Sequence, residues 1–578
     1  MQVNPLGRDE TPAKEERSDT TGAMLIVTFV ALIVYPVLSI VRFLDNNTLT
    51  SWKWTVPQAD TGGLFLLTIL ALALSAVLSM KPLPKRSTPL VLVLFSFLAV
   101  LPLWTVPEVI LDTSRYFLQA KHLGIYGIGS FFREWGHAIG AWTDLPLIPF
   151  FYGLIFKYCG EVRLYIQLFT TLLFSLTVLL TYLIGKTLWN RETGLYAGLL
   201  LLGIPYLLTQ VPLMLVDVPL MFFVTLSIYV FLTALEKGGR LLIMASSLSL
   251  FLCLLAKYSA ILLLLVMPLI LFVSYKSDPR GKLARAASVL AVTALLCSLY
   301  FAAQHDVVMI QLDLLRTYQW PGLKRWEEGL ASTLLFQVHP LITIAASFGV
   351  VAAIRKRDIR FLVPAWFALF ALFFQHGRIR YLLPLFPLLT LMASYGIQEL
   401  KDARVRRYIV LCVVTSSLVI AVFAYAPFLH RTSMVNLRDA GGYLDTLENN
   451  AVEVHVLPQP RSLGNTEMAI PLLDLYTRKK LVYRERPSGP PDQEAIMQSP
   501  LRFSWEIRQP AIYSEQAKDA CLPVVIISGD SSGTAPSDIN LISASFTMLK
   551  RFESSAGVFK YKTFVTVFKR TCMAETEQ

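Results

Sequence analysis

The feature that most constrains this chain is a succession of apolar runs. Each is near the roughly 20 residues an α-helix needs to cross about 30 Å of hydrocarbon. They fall at 23–43, 63–80, 88–107, 163–185, 194–214, 217–236, 240–256, 259–275, 286–304, 332–353, 360–376, 380–398 and 408–427 of the 578 residues. The expectation is a polytopic α-helical membrane protein with about thirteen transmembrane helices. Composition agrees: 54% of residues are hydrophobic and 16% charged, against roughly 25% charged in a soluble domain. A soluble multidomain enzyme, a disordered chain and a disulfide-built secreted scaffold are excluded. The six cysteines show neither metal-ligand spacing nor a disulfide framework.

Basic residues set the orientation. With a cytoplasmic N-terminus, the inner loops carry Lys81, Lys85 and Arg86; Lys186 and Arg191; Lys237 and Arg240; and Lys276, Arg280, Lys282 and Arg285. Arg355, Lys356, Arg357 and Arg360 follow, then Lys401, Arg404, Arg406 and Arg407. Every alternate loop is basic, as the positive-inside rule requires. The formal charge of +12 is thereby read as topology rather than as a nucleic-acid footprint. The polar first 22 residues form a cytoplasmic tail. The first apolar run starts late and is long enough to span, so it is not read as a cleavable signal.

Three segments then lie outside: a long loop at 108–162, a shorter one at 305–331 and a polar C-terminal segment at 428–578. The long loop mixes aromatic and basic residues around Tyr116–Phe132 and Leu147–Tyr158, a composition suited to amphipathic interfacial helices. The C-terminal segment contains strand-like Val452–Leu457, Leu522–Ser528 and Val558–Lys569 between turn-rich stretches, so an extracytoplasmic α/β or mostly-β domain is expected. Cys521 and Cys572 in it either pair or remain free thiols. Residues 23–87 read as two additional N-terminal helices ahead of a membrane module at 88–427.

Ionisable residues at membrane depth are costly and usually functional. Asp112, Asp217 and Lys257 all fall at outer ends of spans. Each also has a plainer use. Asp112 suits a helix cap, Asp217 a helix start before Pro219, and Lys257 snorkelling to the interface. Arg378 and Arg380 lie outside, where the positive-inside rule does not explain them. Asp144 is either a site residue or the surface partner of a nearby cation. His122 and His137 read as interfacial or packing residues, and no metal site is assigned.

These residues resemble a known superfamily, the GT-C glycosyltransferases that use polyprenyl-phosphate sugars. The members it is similar to are the protein O-mannosyltransferases and the lipid A aminoarabinose transferase. The similarity covers about 88–400. The acid-then-Arg-Tyr pattern that opens the family's first outer loop is matched by Asp112, Arg115, Tyr116 and Ala120, and its second acidic position by Asp217. A Thr-Lys-Gly-like element is matched by Ala256-Lys257-Tyr258, and a late Arg-Tyr-Leu-Leu-Pro element by Arg380-Tyr381-Leu382-Leu383-Pro384. Two positions depart from the pattern. Thr113 stands where a Glu is usual, and Asp144-Leu145-Pro146-Leu147 where His/Lys-Pro-Pro-Leu is usual.

The resemblance implies transfer of one sugar from a polyprenyl phosphate to an extracytoplasmic glycolipid, polysaccharide or protein, at the plasma (inner) membrane and by inverting displacement. Asp112 and Asp217 are the implied catalytic carboxylates. Lys257, Arg378, Arg380, Tyr381, Arg115, Tyr116 and Asp144 are the implied donor-phosphate and substrate residues. The resemblance requires no cofactor; a divalent metal is compatible with it but not implied. The alternative is a flippase or transporter of a lipid-linked sugar, although no internal repeat of the kind common in transporters is visible.

Overall fold

The structure is a computed structural model. It describes residues 20–33, 59–81, 88–275, 278–322, 333–374, 379–459, 462–483, 493–499, 501–506, 511–513, 522–529, 546–554 and 561–570. Arg378, Cys521 and Cys572 lie outside the described residues.

The chain is a multi-pass membrane protein. Among the described residues, seven helices are long and apolar enough to cross a bilayer. In chain order the elements needed below are α1 (Thr20–Ile33), α2 (Thr61–Ser79), α3 (Thr88–Val100), α4 (Asp112–Glu134) and α5 (Leu147–Cys159). There follow α6 (Arg163–Leu188), α7 (Arg191–Leu201), α8 (Pro205–Gln210), α9 (Asp217–Lys237), α10 (Arg240–Ala256), α11 (Ala260–Ser274), α12 (Pro279–Ala303) and α13 (His305–Leu314). The last membrane elements are α14 (Pro340–Lys356), α15 (Leu362–Phe374), α16 (Ile379–Gln398) and α17 (Ala403–Leu429).

Burial sorts these helices. In α16, 89% of the most apolar window is buried, against 17% in α12. Hence α16 runs through the centre of the bundle, and α12 turns Leu290, Leu295 and Leu299 outward, as a lipid-facing helix does. Helices in lipid gain little from hydrophobicity and associate through close packing of small residues. Here α14 and α16 meet at glycines: a Cβ on Gly396 would lie 2.1 Å from the Ala345 carbonyl oxygen, and one on Gly349 2.4 Å from that of Met392. The N-terminal helices are tied to α17 by polar pairs, Thr28 with Tyr408 at 2.6 Å and Ser75 with Thr415 at 2.9 Å.

The basic loop residues gather at one end of the bundle. Arg407 donates to the Ser79 carbonyl, Arg360 to that of Leu188, Arg406 pairs with Glu192 and Lys356 with Glu399. The helix ends bearing Asp112, Asp217, Lys257 and Arg380 form the opposite end.

Several expected spans are corrected. Residues 194–214 are not one helix. The chain breaks at Gly203 and resumes at Pro205, because the residue before a proline is driven out of the helical region; Ile204 is extended (φ −117°, ψ 93°). Gly203 is also a close approach, since a Cβ there would lie 2.4 Å from Val413. The span expected from 332 gives a helix that begins at Pro340, with the His339 side chain accepting from the Leu341 amide as its cap. The span expected at 259–275 is divided into Ala260–Leu263 and Val266–Ser274.

The two loop helices form where expected, but α4 is not interfacial along its length. Thr113 through Ala120 are all buried in the bundle. Only beyond Lys121 does α4 expose Ile125, Tyr126 and Phe132. It turns at Gly127 (φ 84°), a left-handed conformation that favours glycine.

Beyond α17, the helix α18 (Met434–Leu444) leads into a mixed five-stranded sheet. Its strands are β1 (Ala451–Val456), β2 (Lys480–Tyr483), β3 (Val524–Ser528), β4 (Phe546–Phe552) and β5 (Phe564–Arg570), in the order β2-β1-β3-β5-β4. β1 pairs parallel with β2 and β3, while β5 pairs antiparallel with β3 and β4. Strand periodicity puts Val452, Val454, Val525, Ile527, Val565 and Val567 in the main core. Val524, Ile526 and Phe568 form a smaller cluster. β2 and β4 were not expected from the sequence. The main core is continuous from the membrane helices into this unit.

Candidate active site

Asp112 is the first residue of α4 and Asp217 the first of α9; the cap positions before them fall on Leu111 and Val216. A carboxylate in the first turn is favoured by the helix dipole, but both side chains are engaged with cations. Arg380, one residue into α16, joins them. Its Nε and Nη2 donate to Asp217 Oδ2 at 2.9 and 2.6 Å, and its Nη1 to Asp112 Oδ2 at 3.2 Å. Lys257, just after α10, donates to Asp217 Oδ1 at 2.9 Å and lies 5.5 Å from the centre of the Tyr381 ring.

On the other side of Asp112, Arg115 donates to its Oδ1 at 3.3 Å and to Asp144 Oδ1 at 3.0 Å, with Nε 2.6 Å from Asp144 Oδ2. Arg115 also donates to the Tyr116 hydroxyl at 3.1 Å. The result is one chain of alternating charge: Asp144, Arg115, Asp112, Arg380, Asp217, Lys257. Three carboxylates meet three cations, and the side chains are between 2% and 22% exposed. Within it Asp112 is the most open carboxylate, at 16% against 10% for Asp144 and 2% for Asp217.

Burial is the largest influence on the loop groups. It raises the Asp144 carboxyl above its ordinary range despite the opposing pull of Arg115. It also pushes the Tyr116 phenol well up. Burial works against the charge on Arg115, but Asp144, Tyr116 and Asp112 outweigh it and hold that guanidinium protonated.

Sequence reasoning missed the residues that hold this network in place. Glu108 is fully buried; it accepts from Arg163 Nε at 2.9 Å, from Thr113 Oγ1 at 3.0 Å and from the Met214 amide at 3.2 Å. It thus fixes the turn that delivers Asp217. The Tyr152 hydroxyl donates to the Leu215 carbonyl in the same turn at 2.6 Å. An acid in the run Val106-Pro107-Glu108-Val109-Ile110 was as visible as Asp112 to the membrane-depth argument.

Asp144 is held by Gln119, which donates to its Oδ2 at 3.2 Å, and by Gln311 of α13, which donates to its backbone carbonyl at 2.7 Å. Tyr258 donates to Gln311 in turn. Two residues earlier, Trp142 adopts a left-handed backbone (φ 49°), costly for a bulky residue. The Tyr318 ring, 5.6 Å away, and Arg502 pack against it. The C-terminal unit closes over the site here, with the Phe503 ring 4.5 Å from the Arg115 guanidinium carbon.

The structure therefore brings together Asp112, Asp217, Lys257, Arg380, Tyr381, Arg115, Tyr116 and Asp144. Asp144 proves to be a buried partner of Arg115 rather than a surface residue. His122 packs on Tyr126. Among the described residues no three His, Cys, Asp or Glu side chains gather as a metal-binding group.

Comparison with known proteins bears on this arrangement. Residues 143–303 match the family model described as dolichyl-phosphate-mannose-protein mannosyltransferase. The crystal structure of ArnT from Cupriavidus metallidurans bound to undecaprenyl phosphate is similar at 12% identity and a TM-score of 0.52, covering 85% of this chain and 100% of that one. Its apo state gives 11% identity and a TM-score of 0.51, over 83% and 97% of the two chains. No curated protein matches the sequence. With the ArnT architecture along most of its length and the mannosyltransferase pattern in the segment that runs from Asp144 through Lys257, the chain has the fold of the GT-C glycosyltransferases.

Proposed function

We propose that this protein is a membrane glycosyltransferase that moves one sugar from a polyprenyl phosphate to an extracytoplasmic acceptor. The observation that carries the proposal is the pair of carboxylates at one end of the bundle, bridged by Arg380 and flanked by Lys257. The mannosyltransferase match and the ArnT-like fold support it. ArnT itself was solved with undecaprenyl phosphate.

Glycosyl transfer passes through an oxocarbenium-like state in which the leaving oxygen gains negative charge. The acceptor oxygen attacks the anomeric carbon, the bond from that carbon to the phosphate oxygen breaks, and its electron pair leaves with the phosphate. In one inverting step Asp112, the most open carboxylate, takes the acceptor proton. Arg380 and Lys257 receive the phosphate, Arg380 as a planar fork suited to two oxygens. Asp217 holds both cations in place. Arg115 and Asp144 orient Asp112 from the other side. The basic loops at the far end support the reading that this site faces the extracytoplasmic side of the plasma membrane.

The test is transfer from a radiolabelled polyprenyl-phosphate sugar to cell-envelope acceptors by the purified protein in vesicles. Transfer that vanishes in a folded Asp112→Asn variant is expected. Full activity in that variant would remove Asp112 from the chemistry, and lipid scrambling without transfer would replace the transferase by a flippase.

A further inference from the structure

A cavity of about 570 Å³, with charged and apolar lining residues, lies where the outer half of α4, the turn before α6 and the C-terminal unit meet. Its depth is set by the chain. Glu161 and Val162 line it and directly precede α6, a membrane-crossing helix that turns Leu164, Leu168 and Leu172 outward. The cavity therefore sits level with the end of that helix, where lipid headgroups lie. One wall is apolar, with Ile125 and Tyr126 each half exposed.

The lining also carries the run Arg478-Lys479-Lys480. The floor is an ion cluster in which the Lys121 ammonium donates to Glu161 at 2.8 Å and to Asp474 at 2.6 Å, and the Tyr513 hydroxyl donates to Asp474. Four cations against two carboxylates leave the lining formally at +2. A net-positive pocket with an apolar side at headgroup depth has one well-matched occupant. Its anion needs hydrogen-bond donors, and its body needs to run along Ile125 and Tyr126 toward the exposed face of α6. We propose that this cavity binds the phosphodiester headgroup of an anionic phospholipid and so holds the C-terminal unit against the membrane surface. The site is separate from the carboxylate–arginine network, and its occupancy does not depend on the transfer chemistry.

The experiment is native mass spectrometry of the full-length protein in detergent, titrated with phosphatidylglycerol or with phosphatidylcholine of the same acyl chains. Exposed cations near a membrane surface each favour anionic lipid, so retention of phosphatidylglycerol should exceed that of phosphatidylcholine by on the order of tenfold. Arg478→Gln/Lys480→Gln, at exposed positions, should bring the ratio near one with the melting temperature unchanged. Should that variant fail to fold, Tyr126→Ala is the second arm and should weaken retention of both lipids. Parity in the wild type, or an undiminished preference in the double variant, would overturn the proposal. So would inorganic phosphate binding as strongly as phosphatidylglycerol and unaffected by Tyr126→Ala, which would identify a free-anion site.

Discussion

The sharpest test of the site's construction is a double-mutant cycle on Asp217 and Arg380. Both side chains are withdrawn from solvent, at 2% and 6% exposure. Arg380 spends two of its donors on Asp217 Oδ2, while Lys257 takes Oδ1. Removing one member of a buried ion pair leaves the other charged and unsatisfied, at a typical cost of about 3–5 kcal/mol. Asp217→Asn keeps the shape but leaves two cations facing a neutral amide, so the lower end, about 3 kcal/mol, is expected. Arg380→Met should cost about 2 kcal/mol, because Lys257 still neutralises Asp217. With both gone, only the partly exposed Lys257 still faces the neutral amide, and the double variant should fall about 2 kcal/mol short of the two losses added together. Equilibrium unfolding in mixed micelles reads all four corners of the cycle. Losses that add to within about 0.5 kcal/mol would refute the claim that Asp217 exists to compensate these cations. Asp112 provides the contrast. Its contacts are longer, at 3.2 and 3.3 Å, and it is 16% exposed. Asp112→Asn should therefore cost under about 1.5 kcal/mol while abolishing transfer.

Three further outcomes follow from other contacts. Glu108→Gln strips the charge from a fully buried carboxylate paired with Arg163 and should destabilise by about 3 kcal/mol; a wild-type melting temperature would contradict the buried-pair account. Phe503→Leu keeps apolar volume but removes the ring face over Arg115. A loss of about 1 kcal/mol of cation–π interaction should lower kcat several-fold with KM little changed, and an unaltered kcat would detach the C-terminal unit from the site. Glu161 is raised to about 7 by burial, which prevails over its pairing with Lys121, and by the neighbouring Asp474. Its folded value lies above its unfolded one, so between about 4.5 and 7 the folded state holds a proton that the unfolded state has released, and this contribution to stability falls as pH rises. The melting temperature should drop from pH 5 to pH 7.5 by more in the wild type than in Glu161→Gln, and equal drops would refute the assignment.

The membrane helices were legible because a span must be apolar over its whole length, and few residues can violate that without leaving a mark. The same filter exposed Asp112, Asp217, Lys257 and Arg380, since charge at a helix end near hydrocarbon has few structural uses. It could not say which would meet. Asp217 and Arg380 are 163 residues apart and Arg380 and Asp112 268 apart, and only the central, deeply buried course of α16 brings them together. Nor could hydropathy see that 194–214 is broken. Gly203 and Pro205 are ordinary in apolar helices, yet here Pro205 drives Ile204 out of the helical region and Gly203 sits where a Cβ would meet Val413 of α17. The supporting residues were hidden for a third reason. Gln119, Gln311 and Tyr258 are uncharged, and Gln311 reaches Asp144 from α13, a segment that nothing in the sequence ties to the first loop. Glu108 differs from these, because it is charged and equally deep; its partners are structural and it carries no family pattern. Charge in an apolar chain thus marks both the residues proposed to act and those that hold them. Between these two acids exposure tells them apart: the Asp112 side chain is 16% exposed, while Glu108 is wholly enclosed.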